Sequence, residues 1–537
     1  MPDASYDAVI IGAGHNGLCL AAYLARAGLK VGMFERRHEE GGGAHTDEAT
    51  MPGFWHNLHA QYMEFIDYMP FYRDFDLPRL GARMIKPDAQ VGIAFADGRP
   101  PLVIYRPELA DKTRASIARY SQHDAELFDD IRRKVMANDR YLAALLYTPM
   151  PDEARGESFG DPEAAGKVFQ LWTELGFKPE ELQKSPKVLI DQLFESTELR
   201  ATLYRQCVEW GANLHAGNGF GFIVSVIWLC GTHYLSVGGT HTLAHAMASA
   251  ALREGVELRH ASPVVEILTA NGRATGVKLK DGREIEARKL VASNANPRTT
   301  FVDLLGWERL SLFRKERMAN WRFGPEHVLG TTSFALRAAP DYKSARHNPD
   351  INRCFYTIVG FENHEQVSEY ILQAYGGRVP ERPGAGTWVN SLWDPSQAPT
   401  GMHAMNGWFF FPKASCLSSG EWDHVRAEYN GRFLDLWHDY APNMARENVI
   451  AERLYVSLDM EKRIGMPEGD FSHGRLGEMG FGFPRAYTYR TEIEGLYMCG
   501  ASAGGGGISA APGYNAFKVI AQDYELPRIW QKDDRTY

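Results

Sequence analysis

The run YDAVIIGAGHNGLCLAAYLARAGLKVGMFERR, from Tyr6 to Arg37, divides into five parts with different physical demands. AVII is a short apolar run suited to a strand buried on both faces. The chain then turns through Gly12-Ala13-Gly14-His15-Asn16-Gly17 into LCLAAYLARAG, an apolar-periodic helix that stops at Gly28. KVGMFE predicts a second strand, ending in Glu35, 23 residues after Gly12. Strand, GxGxxG turn, helix, strand and acid stand in the order that binds a dinucleotide. Gly12 permits the tight turn, Gly14 lets a pyrophosphate approach the backbone, and Gly17 lets helix pack on strand. The turn around Asn16 would present unpaired N–H groups and the partial positive charge of a helix start to the phosphates. Glu35 can accept hydrogen bonds from a ribose and its charge would repel a 2′-phosphate.

Past Glu35 comes RRHEEGGGAHTDE, with Arg36, the cluster Gly41-Gly42-Gly43, and Thr46. A nicotinamide-binding domain does not call for glycines just beyond its second strand. A flavin-type domain does, because its chain passes the ribityl and pyrophosphate region a second time. Together these stretches resemble the start of the phytoene-desaturase-like FAD oxidoreductases. That group includes carotenoid desaturases and isomerases, retinol saturase, and proteins named for a pyridine nucleotide-disulfide oxidoreductase domain. Its glycine doublet and threonine map onto Gly41, Gly42 and Thr46, with Gly43 extra. The resemblance implies non-covalent FAD held by Gly12, Gly14, Asn16, Gly17, Glu35, Arg36, Gly41, Gly42 and Thr46.

Two further segments extend it. From Ser236 to Pro297, Gly238-Gly239 opens an apolar-periodic helix ending at Gly255, followed by strand-like VELRH and PVVEIL and a hairpin turning at Asp281-Gly282. This is similar to the family's second FAD segment, which implies a backbone contact beside the adenine at Val264, with Ser293 near the same end. Near the C-terminus, EGLYMCGASAGGGGISAAPGYNAFKVIAQDY predicts a strand to Cys499, a glycine loop and a helix from about Pro512. It resembles the family's closing motif, in which the loop passes under the flavin. Gly500, Ala501, Gly507 and Ile508 would then face the cofactor. Many relatives carry a His-Pro pair where this chain has Ala503-Gly504.

The fold class expected is α/β: a Rossmann-type FAD-binding domain of the glutathione reductase/amine oxidase type, built from residues 1–80, 225–310 and 476–537. An α+β substrate domain takes residues 81–224 and 311–475. The first insert is rich in helix formers, with helical periodicity from Asp124 to Leu146. The second mixes strand-like runs such as TTSFALRA and GWFFF with Pro-rich turns. At 537 residues the chain exceeds one ordinary core.

Composition narrows the function. A formal charge of −9 and a pI near 6.1 argue against a nucleic-acid surface. The six cysteines form no CxxC, which removes disulfide-reductase chemistry and suggests a reducing compartment. No basic n-region precedes an apolar stretch, and GFGFIVSVIWLCG (219–231) is too short to span a bilayer. A cytoplasmic protein, soluble or peripheral to a membrane, is expected. For proton transfer the residues to consider are His59, after the glycine cluster, and His233, before Gly238. His241 and His245 stand four apart on a helix, but the sequence pairs them with no third ligand, so no metal is expected.

The reading that follows is an FAD-dependent oxidoreductase acting on C–H or C=C bonds, by desaturation, saturation or redox-linked isomerisation. Its substrate would be apolar, of isoprenoid or polyene type, and oxygen, a quinone or NAD(P) would accept the electrons. An FAD oxidase of an amine, alcohol or aromatic compound is the enzymatic alternative. A non-catalytic flavin-bound interaction protein is the other.

Overall fold

A computed structural model describes residues 2–64, 66–149, 166–167, 170–171, 173–217, 219–324, 327–476, 489–504, 507–531 and 537. The AVII run becomes the strand Ala4–Ile11, whose residues Ala8 to Ile11 are all buried. It pairs in parallel with Val31–Phe34 on one side and with Glu284–Ser293 on the other. Glu284–Ser293 is long enough to serve three neighbours. Its first residues pair antiparallel with Arg273–Leu279, and its last pair in parallel with Leu496–Met498. Val264–Ala270 and Glu257–Arg259 complete the two margins.

In this register Ile11 lies beside Phe34 and beside Ser293, and Ser293 lies beside Met498. The carboxyl ends of four parallel strands, from three distant parts of the chain, therefore finish at one edge, where open α/β sheets bind ligands. Helices His15–Arg26, His241–Arg253 and Ala511–Asp523 pack around it. The Tyr23 ring stacks on Phe517 at 5.1 Å. A Cβ on Gly513 would sit 2.1 Å from the Asn16 carbonyl oxygen, so glycine is what lets the last helix press against the first.

A second seven-stranded sheet runs Val449–Tyr455, Val328–Leu336, His403–Phe411, Ala385–Trp388, Tyr356–Val359, Ala89–Ile93 and Leu102–Tyr105. Only the pairing of Tyr356–Val359 with Ala89–Ile93 is parallel. Alternation along His403–Phe411 splits the WFFF run by face. Phe409 and Phe411 enter the core under the long helix Ser419–Tyr440, with Trp422 and Phe433. Trp408 and Phe410 point to the opposite face, covered by Thr197–Glu209, Phe220–Cys230 and His364–Tyr375. The apolar run 219–231 is thus a core helix crossing residue 225. No described helix is long and apolar enough to cross a membrane.

Candidate functional site

At the shared strand edge lies a groove lined by Gly12, Gly14, Asn16, Glu35, Arg36, Gly42, Val264 and Ala501. The glycine turn behaves as its spacing predicts. Gly12 has φ +88°, and a Cβ on Gly17 would lie 2.4 Å from the Gly12 carbonyl oxygen. Gly14 caps the helix with extended backbone and no side-chain cap, leaving the first helical N–H groups towards the groove. Glu35 is buried at the end of its strand; its two oxygens accept the Ala13 N–H at 2.7 Å and the Arg37 N–H at 2.9 Å. The side chain is fixed by both sides of the turn.

Gly41, Thr46, Ser293 and Gly500, also expected at the cofactor, do not line the groove. Gly41, with φ +103°, bridges to Gly14 and would bring a Cβ 2.5 Å from the Ala44 carbonyl oxygen. Gly500 would bring one 2.6 Å from the Asn294 carbonyl oxygen. Thr46 is buried behind the glycine cluster, where its hydroxyl donates to Asn57 and accepts the His241 N–H. Ser293 pairs its hydroxyl with Thr300 at 2.7 Å, and Asn294 faces the groove instead. Gly505 and Gly506 lie outside the described residues.

A second cavity opens from the same place. His15, Gly43, Met466, His473 and Ala501 line both. Its wall on that side is the C-terminal loop, with Gly504, Gly507, Ile508 and Pro512. Much of the remaining lining is apolar or aromatic: Tyr62, Trp210, Leu329, Trp408 and Phe471. Trp210 stacks on Trp228 at 4.0 Å, so the core helix supports the lining from behind.

His59 lies in this cavity, buried, with its Nε2 free of any hydrogen-bond partner among the described residues. Burial first, then Arg463 and Arg37, holds its pKa down to about 3. His233 lies instead in an adjoining cavity, behind the Tyr62 ring at 4.8 Å. Its Nε2 is 3.3 Å from a Glu64 oxygen, and Glu64 borders both cavities.

Two carboxyl groups in the apolar cavity were not legible in the sequence. Glu209 accepts hydrogen bonds from the Tyr62 hydroxyl at 3.0 Å and from Tyr356, and Arg205 stands 3.4 Å away. Burial pushes its carboxyl up, and Arg205 and the two hydroxyls oppose that. Glu64 has no such support. Burial, then the neighbouring Glu209, pushes it well above the usual carboxylate range. Of two acids in one buried cavity, the one with a counter-ion ionises first and keeps the other protonated.

Six buried histidines, His15, His45, His56, His59, His233 and His327, are held neutral, with burial the largest cause and values between about 2 and about 4. Their unfolded value is near 6.5. Above that pH they leave stability unchanged. As pH falls from 6.5 towards 4 the unfolded chain binds protons that the native chain does not, so stability drops, by on the order of 1.4 kcal/mol per pH unit for each group. Thermal midpoints should therefore decline continuously over that window; a flat profile would show that these rings are not kept neutral.

Comparison with known proteins accords with this geometry. Residues 10–75 match the family model described as an NAD(P)-binding Rossmann-like domain. A limonene dehydrogenase polypeptide of Castellaniella defragrans is 32% identical, covering 98% of this chain and 96% of that protein. The pyridine nucleotide-disulfide oxidoreductase domain-containing protein 2 of Rattus norvegicus is 28% identical over 96% of this chain and 94% of its own. A neurosporene-forming phytoene desaturase of Rhodobacter capsulatus is 24% identical over 96% and 93%. Among solved structures, a double mutant of putrescine oxidase superposes with a TM-score of 0.59 at 15% identity, covering 97% of this chain and 99% of that one, a likeness of fold.

A dinucleotide groove at the strand edge, opening into a second cavity, is the arrangement of a cofactor-dependent oxidoreductase. The chain belongs to the phytoene-desaturase-like family of FAD-dependent oxidoreductases.

Proposed function

We propose that the protein binds FAD non-covalently and uses it to remove or return hydrogen at a C–H or C=C bond of an apolar, isoprenoid-like substrate. The observation that carries this is the continuity of the dinucleotide groove with an aromatic-walled cavity through His15, Gly43, Met466, His473 and Ala501. The names of the relatives, a limonene dehydrogenase and a phytoene desaturase, point the same way. The residues fit the cofactor. A Cβ at Gly14 would invade the groove margin at Asn294, 2.7 Å from its Nδ2, while Asn16 Oδ1 and His15 Nε2 are buried beside it without partners among the described residues. The helix Ala511–Asp523 starts at Ala510 without a side-chain cap, and Pro512 in its first turn lines the cavity. That start would favour negative charge at a bound ring system.

On this reading the segments 1–80, 225–310 and 476–537 form the FAD-binding domain, and 81–224 with 311–475 the substrate domain. FAD held in the groove would supply the hydride acceptor. The protein must then manage the proton from the neighbouring carbon. Glu209, Glu64 and His59 border the cavity where it is released, and His233 backs Glu64. Apolar walls hold the hydrocarbon and keep water from the reacting carbons.

The purified protein should be yellow, with a two-band flavin spectrum, and should release its flavin into the supernatant on denaturation. Anaerobic addition of a monoterpene or longer isoprenoid alkene should bleach it. Oxygen, a quinone and NAD(P) are then separated by which one restores the colour. Protein that stays colourless after incubation with FAD, or that only amines bleach, would overturn the proposal.

A further inference from the structure

Beside the glycine cluster, three histidines gather around one buried acid. His241 and His245 occupy successive turns of the helix His241–Arg253, with ring centroids 4.2 Å apart. The chain after the second strand folds Glu40 against them. His245 Nδ1 lies 2.5 Å from one oxygen of Glu40, and His260 Nε2 lies 2.9 Å from the other. The Glu40 carboxylate is 7% exposed and the His245 ring 61%, so one ligand is anchored inside and another faces solvent. One donor atom each from Glu40, His241 and His245 lie within 4.8 Å of one another.

We propose that Glu40, His241 and His245 form a binding site for one divalent transition-metal ion of the zinc type. Two imidazoles and a carboxylate are a borderline-soft donor set that suits zinc and leaves one tetrahedral position for water. Metal–ligand bonds of about 2.0–2.2 Å place such donors roughly 3.3 Å apart. Rotation of the exposed His245 ring, together with small shifts of the other two, closes the set from its present spacing. His260 completes the site from outside: by donating to the far oxygen it holds the carboxylate while the near oxygen coordinates.

Glu39 forms a neighbouring set with His45 and His241. There Glu39 stands 3.9 Å from His241 Nδ1 and 3.4 Å from His45 Nδ1, and it also pairs with Arg37. An arginine on its acid makes that set the poorer one for a cation. The Glu40 carboxylate is met by histidines, and among the described residues no arginine or lysine forms an ion pair with it.

Metal uptake is read apart from flavin content, so the test does not depend on the proposed cofactor. Tag-free full-length protein, stripped with a chelator and dialysed, would be titrated with Co²⁺ for its visible d–d bands and with Zn²⁺ by calorimetry. One ion per chain is expected, with the intense bands of four-coordinate cobalt, and Zn²⁺ should displace it. His245→Ala, at an exposed position, should weaken zinc binding at least 100-fold. His260→Gln should weaken it about tenfold through its hold on the carboxylate. Wild-type protein that takes up no stoichiometric ion, or a His245→Ala variant that binds as tightly as wild type, would overturn the assignment.

Discussion

A Gly14→Val variant is expected to purify folded and colourless. The backbone at Gly14 is extended, φ −70° and ψ 164°, which a β-branched residue adopts without strain. The new Cβ would meet the Asn294 amide at 2.7 Å, the far end of a side chain that can turn aside. The cost therefore falls on the ligand, because the isopropyl group occupies the approach of the pyrophosphate to the helix start. Loss of two charge-assisted hydrogen bonds at about 1.5–3 kcal/mol each corresponds to roughly 10²–10⁴ in affinity. Gly17→Val is the control with opposite logic. Its Cβ would lie 2.4 Å from the Gly12 carbonyl oxygen, a backbone atom that cannot move away. That variant should lose stability, by about 1–3 kcal/mol or more, as well as flavin. Flavin-to-protein ratio and thermal midpoint, measured on both, separate the two effects. A Gly14→Val protein with wild-type flavin content would show that the groove does not bind the pyrophosphate.

The glycine turn, Glu35 and the Asp281-Gly282 hairpin could be read in the sequence because they are local: each is fixed by residues within a few positions, and glycine marks the places where backbone meets backbone. Three strands ending together at Ile11, Ser293 and Met498 could be inferred because each is followed by small residues. Side-chain direction at a strand end is another matter. Ser293 and Asn294 differ by one step of the pleat, and the hydroxyl turns to Thr300 while the amide faces the groove. Thr46 shows the same limit, its hydroxyl being consumed by Asn57 and the His241 amide. The substrate-side acids were invisible for a stronger reason. Tyr62 and Tyr356 each lie 147 residues from Glu209, on opposite sides of it in the chain, and meet it only through the second sheet and its covering helices. The same holds for Glu40, which reaches His245 across 205 positions and His260 across 220. Histidine draws attention in a sequence because its ordinary pKa suits proton transfer; burial pushes His59 and His233 below that range and Glu64 above the usual carboxylate range.

With the roles exchanged in this way, Glu64→Gln should leave fold and flavin content intact and lower kcat by about 10²–10⁴, the usual worth of a positioned acid–base group. The substitution is mild because Glu64 is already held protonated, and a glutamine of the same shape replaces a neutral acid without leaving a buried charge. What it removes is an acid that can give a proton to substrate when hydrogen is returned to a C=C bond; a group held protonated cannot take up the proton that desaturation releases. KM for an apolar substrate should change little, since the aromatic walls do the binding. The alkaline limb of the kcat profile that belongs to Glu64 should disappear. Glu209→Gln must behave differently. Arg205 is 1% exposed, lies over the Phe410 ring at 3.9 Å, and donates to the Trp408 carbonyl, so it cannot leave when its counter-ion is lost. An unpaired buried guanidinium costs about 3–5 kcal/mol, and the variant should unfold at a visibly lower temperature. Glu64→Gln with unchanged kcat would move proton transfer to His59, whose free Nε2 borders the same cavity. A His59→Gln variant measured beside it decides between them, because only one of the two substitutions can then abolish the pH dependence.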